Sequence, residues 1–194
     1  MTKHRCGWCV GDPLYEAYHD QEWGVPVYDD QTIFEFLILE TFQAGLSWIT
    51  ILRKRENFRE ALDDFDYKKI ARYSEAKLEA LLQNPGIIRN KLKVKATVSN
   101  AQAFIKIQEE FGSFSKYIWS FVNHKPIQNS VKIYKEAPAT TAISDALSKD
   151  LKKRGFKFTG STVVYAHMQA TGMVNDHEVD CFRYAEVKSL GVKP

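Results

Sequence analysis

Cysteine is scarce in this chain of 194 residues, which has only Cys6, Cys9 and Cys181. An odd and small number of thiols does not build a disulfide framework, so burial or metal binding is the expected use. No apolar run approaches the roughly 20 residues that span a bilayer. The polar start is not followed by the apolar stretch of a secretory signal. These absences predict a cytoplasmic protein with no membrane partner.

Internal repeats, low-complexity segments and Pro/Gly-rich linkers are absent as well. Apolar residues make up 44% of the chain and charged residues 26%, as in ordinary globular proteins. A chain of this length buries a sizeable core. We therefore expect one domain over residues 1–194, and a monomer.

Helical periodicity dominates what is present, and strand-like alternation is scarce. Residues 31–42 are apolar enough for a buried helix, and an i, i+4, i+7, i+11 stripe follows at Val94, Val98, Ala101 and Ile105. Helix boundaries are signalled by Asp12-Pro13 and by candidate N-caps and C-terminal glycines at Ser74, Ser144, Gly155 and Gly172. The predicted fold class is all-α.

One junction predicts two helices joined by a tight hairpin, over about residues 74–106. The helix-like segment 74–83 runs into Asn84-Pro85-Gly86-Ile87-Ile88, and a basic helix-like segment starts near Arg89. Backbone N–H groups around Gly86, with Arg89 and Lys91 beside them, suit a DNA phosphate. An ordinary αα-hairpin fits the same pattern.

Acidic residues are missing from two stretches, between Glu79 and Glu109 and between Asp150 and Asp176, although the net charge is only +3. Both stretches contain several lysines and arginines. Local basic patches on a nearly neutral protein indicate a polyanion bound on one face, or else solvated helix faces.

Four candidate metal ligands lie near the two ends of the chain. Cys6 and His19 form a C-x12-H pair, and His177 and Cys181 form an H-x3-C pair. Two thiolates and two imidazoles suit tetrahedral Zn²⁺, and four protein ligands leave no position for a catalytic water. The set predicts a structural zinc that ties the chain ends together, unless the residues are buried thiols and hydrogen-bonded histidines.

Aromatic residues crowd the first quarter of the chain, where three of the four tryptophans fall. The group comprises Trp8, Tyr15, Tyr18, Trp23 and Trp48. Aromatic walls stack a base that has been flipped out of DNA, and ring faces favour a cationic base. The alternative is an aromatic core.

Glu40 is the most informative carboxylate, because helical spacing puts it in line with Ile33, Phe36 and Leu37. Glu35 is expected on the opposite, solvated side of the same helix. A carboxylate on an apolar stripe is costly without a partner, and that partner is a ligand, an arginine such as Arg53 or Arg55, or water at a frayed helix end.

The segment that follows breaks the helix at Gly45 and leaves Leu46 at an apparent turn. A leucine on a protruding turn acts as a wedge when it fills the space of an extruded nucleotide.

Together these motifs closely resemble the 3-methyladenine DNA glycosylase I family over nearly the whole chain. They are Cys6-Gly7-Trp8, Asp12-Pro13-Leu14-Tyr15, Tyr18-His19-Asp20, Glu22-Trp23-Gly24, Gln43-Ala44-Gly45-Leu46-Ser47-Trp48, Trp119-Ser120-Phe121-Val122-Asn123-His124 and Asn175-Asp176-His177. The resemblance implies a helix-hairpin-helix glycosylase that acts on alkylated double-stranded DNA and releases N3-methyladenine.

Carried over by position, the resemblance implies zinc ligands, a base pocket and a turn that enters DNA. The ligands are Cys6, His19, His177 and Cys181; the pocket is Glu40, Tyr15, Tyr18 and Trp48, with Trp8 and Trp23 beside it; the turn is Gly45-Leu46. The hairpin has one glycine where most hairpins of the wider superfamily have two. The catalytic aspartate or lysine of that superfamily has no confident match in this sequence, and Asp176, the nearest candidate, is not assigned a catalytic role. Without an activated lysine we expect a monofunctional hydrolase that leaves an abasic site.

Overall fold

The computed structural model describes residues 3–43 and 45–190 and is mostly helical. The helices are α1 (Pro13–Gln21), α2 (Asp30–Gln43), α3 (Trp48–Ala61), α4 (Tyr67–Ile70), α5 (Glu75–Gln83), α6 (Lys91–Phe111), α7 (Phe114–Ser120), α8 (Ala142–Lys153), α9 (Ser161–Ala170) and α10 (Phe182–Leu190). Two short 3₁₀ turns cover Asp63–Phe65 and Tyr134–Glu136. Among the described residues, no helix combines the length and apolar character needed to cross a membrane.

Helix α2 is the centre of the structure. Every residue from Ile33 to Phe42 is buried, and α3, α6 and α9 all pack against it. A helix that is apolar on nearly all sides belongs in a core, which explains why α2 shows no exposed face. The predicted buried helix over 31–42 is therefore confirmed, extended by one residue at each end.

Capping signals decide several helix boundaries. Asp12 caps α1 by accepting from the amides of Leu14 and Tyr15, and Ser74 caps α5 through the amide of Lys77, as the sequence predicts. Ser144 is not an N-cap, contrary to the prediction. Thr141 caps α8, and the Thr141 amide donates to the Ser144 hydroxyl oxygen at 2.8 Å, which completes a capping box.

The connection between α5 and α6 is held by its own side chains. Asn84 Oδ1 accepts from the Gly86 amide at 2.8 Å, and Lys54 Nζ donates to the Gly86 carbonyl at 3.3 Å. Asn90 caps α6, so the second helix begins two residues after the predicted start at Arg89. Two helices joined by a tight connection are observed, and the helix-hairpin-helix motif itself remains a prediction.

The α6 stripe is partly shifted from its predicted positions. Val94 and Ala101 are buried, but Val98 and Ile105 are only half-buried. Thr97 and Phe104 fill the buried face instead. The threonine hydroxyl is compatible with burial because it donates to the Lys93 carbonyl at 3.0 Å.

Two short strands correct the all-α prediction in one place. Strands β1 (Ile127–Gln128) and β2 (Val174–Asn175) pair in parallel, and a further bridge joins Val131 to Glu178. Two-residue strands are too short to show alternation in a sequence. The pairing places the segment after β2, which contains Asp176 and His177, against the loop after β1.

Gly172 makes the closest backbone approach among the described glycines. Its φ is +69°, and an added Cβ would lie 2.4 Å from Pro26 N and from Val25 C. Gly155 also has a positive φ, +97°, but an added Cβ there would meet no atom within 4 Å. Of these two glycines, only Gly172 therefore combines a left-handed backbone with a steric block.

We predict that Gly172→Ala destabilises the protein far more than Gly155→Ala. Both variants incur left-handed strain of about 1–2 kcal/mol, and only Gly172→Ala also forces two backbone segments apart. The free energy of unfolding in urea should fall by about 2 kcal/mol more for Gly172→Ala than for Gly155→Ala. Equal losses would show that the segment 25–26 moves aside without cost.

Candidate functional site

A cavity of about 130 Å³ opens between the N-terminal segment, α1, α2, α3 and α9. Drug-sized ligand sites run to roughly 300–1,000 Å³, so this cavity suits a much smaller molecule. Its walls contain all six residues that sequence analysis proposed for a base pocket, together with four others. The lining residues are Trp8, Tyr15, Tyr18, Trp23, Glu40, Gln43, Trp48, Tyr134, Ala166 and Gln169.

The aromatic walls form one connected group of rings. The Trp8 ring lies 4.7 Å from Tyr15 and 5.1 Å from Trp23, edge to face in both cases. The Tyr18 and Trp48 rings are 5.7 Å apart. Edge contacts leave ring faces available to a guest, so the arrangement suits a flat molecule. Burial raises the pKa of Tyr15 to about 12, which keeps its hydroxyl protonated.

Glu40 is buried in this cavity without a polar partner among the described residues. It is 4% exposed, and no hydrogen bond or ion pair of the described chain involves it. Burial alone raises the pKa of its carboxyl to about 8. The arginine partners considered from the sequence are engaged elsewhere, Arg53 with Asp12 and Arg55 with Glu22 and Glu35.

The prediction of a solvated Glu35 is wrong. Glu35 is 8% exposed, and its carboxylate accepts from Arg55 Nε at 2.6 Å and from Arg59 Nε at 3.0 Å. Helix α2 is covered on this side by α3, which carries both arginines. Two carboxylates on one helix are thus both buried, and only Glu35 has cations beside it.

Four cavity residues were not found from the sequence: Gln43, Tyr134, Ala166 and Gln169. Gln43 ends α2, and Gln169 and Ala166 lie on α9. Tyr134 lies in a short 3₁₀ turn within a region that shows no periodicity, so nothing in its neighbourhood signals a role. Its hydroxyl donates to Gln169 Oε1 at 3.4 Å.

Beside the cavity, the four predicted ligands converge in a buried cluster. Their donor atoms all lie within 4.8 Å of one another. Cys181 Sγ is 3.4 Å from His19 Nε2 and 3.8 Å from His177 Nδ1, and Cys6 Sγ is 3.6 Å from His177 Nδ1. Tetrahedral zinc with bonds of about 2.3 Å to sulfur and about 2.0 Å to nitrogen places such atoms about 3.5 Å apart. The residues therefore fit a tetrahedral metal ion.

The outward-facing atoms of the cluster are also held. His19 Nδ1 lies 2.8 Å from Asp20 Oδ1, and His177 Nε2 lies 3.0 Å from the Trp23 carbonyl oxygen. Metal-binding histidines typically donate their second N–H to a carboxylate or a backbone carbonyl. The Cys6 sulfur accepts from the Glu178 amide at 3.3 Å. This surrounding structure independently supports metal binding.

The cluster and the cavity share side chains as a common wall. Trp8 packs against His19 with ring centres 5.4 Å apart, and Trp23 packs against His177 at 4.7 Å. All four donors of the cluster are buried. A guest in the cavity would meet the tryptophans and not the four donor atoms, so the cluster is suited to supporting the cavity wall and not to catalysis.

The turn after α2 lies at the cavity mouth. Gly45 has a φ of +84°, and the Leu46 amide donates to the Gln43 carbonyl at 2.7 Å. Leu46 is 38% exposed, so its side chain is accessible at the surface beside α2. Ala44 of the same motif lies outside the described residues. Gln43 joins cavity and turn, because its side chain donates to the Leu46 carbonyl at 3.0 Å.

The proposed phosphate-binding residues lie at the α5–α6 connection, apart from the cavity lining. Arg89 and Lys91 are exposed, and Gly86 is half-buried. Lys93, which sequence analysis did not single out, is buried and donates to the Phe42 carbonyl at 3.1 Å. It connects the start of α6 to the end of α2, next to the Leu46 turn.

The geometry defines a class of protein: a helical scaffold with a small aromatic pocket, one carboxyl inside it and, behind it, a buried Cys/His cluster that could hold a metal ion. The model of the methyladenine glycosylase family matches residues 8–184 of this chain. The chain belongs to the methyladenine glycosylase family. Glycosylases are hydrolases that act on N-glycosyl bonds, and the chain is an enzyme of that class.

Similar proteins agree over nearly the full length. DNA-3-methyladenine glycosylase 1 of Escherichia coli (strain K12) is 51% identical over 180 residues, 93% of this chain and 96% of that protein. A crystal structure of a 3-methyladenine DNA glycosylase I has a TM-score of 0.90 at 50% identity, covering 92% of this chain and 98% of that one. The Staphylococcus aureus enzyme, whose structure concerns 3-methyladenine recognition, has a TM-score of 0.89 at 37% identity, covering 98% and 97%.

The raised pKa of Glu40 predicts a pH-dependent stability difference. Between pH 4.5 and about 8 the folded protein keeps a proton on Glu40 that the unfolded chain releases, so stability falls as pH rises through this window. Glu40→Gln has no such proton. The free energy of unfolding of Glu40→Gln minus that of the parent should therefore be larger at pH 8 than at pH 5. The increase should amount to up to about a few kcal/mol.

Urea unfolding of both proteins at the two pH values measures this difference. Glu79→Gln, at an exposed position of α5, serves as the control and should track the parent at both pH values. A gap between Glu40→Gln and the parent that stays constant from pH 5 to pH 8 would contradict the raised pKa.

Proposed function

We propose that the protein removes N3-methyladenine from alkylated double-stranded DNA by hydrolysing the N-glycosidic bond. The base is flipped out of the duplex into the aromatic cavity and an abasic site remains. The observation that carries this proposal is the unpartnered, buried Glu40 in a small aromatic cavity. Two similar proteins support the same substrate. The Escherichia coli relative at 51% identity is a DNA-3-methyladenine glycosylase, and the Staphylococcus aureus structure concerns 3-methyladenine recognition.

The cavity suits a cationic purine. Methylation at N3 gives adenine a positive charge, which ring faces attract. Tyr15, Tyr18 and Trp48 enclose the base, with Trp8 and Trp23 beside them. The exocyclic amine donates to the Glu40 carboxyl, and the cation favours the ionised form of Glu40 once it has entered. Guest and pocket thereby stabilise each other's charge.

Cleavage of the glycosidic bond needs little assistance from catalytic side chains, because the cationic base is a good leaving group. The bond between C1′ and N9 breaks, and its electron pair stays with the departing base, which becomes neutral. A water oxygen bonds to C1′ and releases a proton. Among the described residues that line the cavity there is no lysine to attack C1′. We therefore infer a monofunctional enzyme that leaves the strand uncut.

Two surface elements are proposed to hold the DNA. Leu46, presented by the turn at Gly45, fills the space that the flipped nucleotide leaves. The α5–α6 connection, as a helix-hairpin-helix, binds phosphate through Gly86, Arg89 and Lys91. Residues 1–194 act as one domain and as a monomer in this proposal.

Glu40 variants test the proposal directly. Glu40→Ala removes the polar partner of the departing base and should slow release of 3-methyladenine from methylated duplex DNA by about 10²–10³-fold. Glu40→Gln keeps the size and an acceptor oxygen and should fall between alanine and parent. Single-turnover assays of released base measure both.

Glu79→Ala, at the exposed position of α5, is the matched control and should act at the parent rate. The Glu40 variants must melt near the parent temperature and still bind DNA that contains an abasic analogue. A folded Glu40→Ala protein that releases 3-methyladenine at the parent rate would show that Glu40 is not catalytic. A parent protein that binds DNA but releases no base would contradict the glycosylase function.

We further propose that Cys6, His19, His177 and Cys181 bind one structural zinc ion per chain. Cys181→Ser should lose the ion and a large part of the stability, since structural zinc contributes roughly 10 kcal/mol or more in small domains. Cys9→Ser is the matched control, because Cys9 is equally buried but its sulfur donates to the Cys6 carbonyl and stands outside the cluster.

Metal analysis and thermal melting distinguish these variants. The parent and Cys9→Ser should each contain one zinc per chain and melt together, and Cys181→Ser should contain none and melt far lower. A parent that is folded and active without metal would refute the proposal.

A further inference from the structure

A second carboxylate behind the cavity, Asp176, plays no part in the proposed mechanism. It follows β2 and is 1% exposed. Three neutral donors bind its oxygens: Asn129 Nδ2 at 2.6 Å, Tyr165 OH at 2.7 Å and Gln169 Nε2 at 2.8 Å. No ion pair in the described part of the chain includes Asp176. Each contact comes from a donor, so the carboxylate acts as an acceptor in all of them.

Burial and three bound donors argue against Asp176 as a base or nucleophile, because it does not line the cavity. It does fix the orientation of a cavity residue. An amide has its NH₂ and its carbonyl on different sides, and an acceptor-only partner must face the NH₂. Gln169, which is 6% exposed and lines the cavity, therefore directs Nε2 to Asp176 and leaves Oε1 on the other side.

The free side of Gln169 points to other cavity residues. Its Oε1 is the atom that accepts from the Tyr134 hydroxyl, and Tyr134 also lines the cavity. At 3.4 Å that hydrogen bond is long, so Oε1 retains acceptor capacity. The cavity thus has Gln169 Oε1 as an acceptor in addition to Glu40, and Asp176 fixes the orientation of the Gln169 amide.

We propose that Asp176 is a positioning residue that holds the Gln169 carbonyl toward the bound base and so selects purines with an exocyclic amine over purines with a carbonyl at that position. This inference rests on the proposed function. An amine donates to Oε1, whereas a carbonyl oxygen would face another acceptor and leave both unpaired. A site built to hydrogen-bond one group discriminates strongly against the analogue that lacks it.

Asp176→Leu removes the acceptor that faces both Tyr165 and Gln169. The Gln169 amide is then no longer held and can turn to direct its NH₂ to the cavity. We expect the ratio of affinities for free 3-methyladenine and free 3-methylguanine to fall at least about 10-fold. Titration calorimetry or tryptophan fluorescence with the zinc-loaded protein measures both affinities.

Three further variants keep the inference falsifiable. Asp176→Leu combined with Gln169→Glu returns an acceptor oxygen to the cavity whichever way the side chain turns, and should restore the parent ratio. Tyr165→Phe removes another hydrogen bond to Asp176 without touching Gln169, so it should lower the melting temperature and leave the ratio unchanged. If Asp176→Leu does not fold, Gln169→Met removes the acceptor directly and should lower the ratio as well.

An unchanged ratio in folded Asp176→Leu, or in Gln169→Met, would overturn the inference. So would a Tyr165→Phe protein whose ratio falls as far as that of Asp176→Leu, or a double variant that recovers nothing. Failure of the proposed function looks different: the parent itself would neither bind 3-methyladenine nor release it from methylated DNA. A parent that does both while the variants keep its ratio refutes only the role of Asp176.

Discussion

The convergence of two thiols and two imidazoles from opposite ends of the chain is the constraint on which the site depends. Cys6 and His19 come from the N-terminal segment, and His177 and Cys181 follow β2. Bringing these donors together also brings the N-terminal aromatic residues against α9 and the segment after β2. The pocket wall therefore lies directly against its support, and a metal ion bound there would stabilise both.

Helix α2 carries two buried carboxyl groups with different surroundings. Glu35 and Glu40 are both buried, but two arginines compensate Glu35, whereas burial without a partner raises the pKa of Glu40 to about 8. A buried charge is normally paired. In the proposed function, the Glu40 carboxyl keeps its proton until a cationic base enters the cavity and supplies the missing charge. Under that proposal the cavity is prepared for its ligand at the expense of stability.

Much of the fold follows from local patterns. Asp12 and Ser74 cap their helices because short polar side chains satisfy free amides at helix starts, which depends only on neighbouring residues. The apolar density of residues 31–42 likewise predicts a buried helix from composition alone. Ser144 failed as a predicted cap because the helix already starts three residues earlier, where Thr141 accepts from the Ser144 amide, and two candidates in one window are not distinguished by sequence.

The sequence by itself determined the helices, the chemistry of the four clustered donors and the set of aromatic residues available to a pocket, since these depend on residue type and spacing. Only the tertiary structure decided that Glu35 is buried beside arginines and Glu40 is not paired. It alone placed Tyr134 and Gln169 in the cavity and joined Gln169 to Asp176. The reason is physical: a side chain's partners lie on other helices, and no local period records which helix will pack beside it.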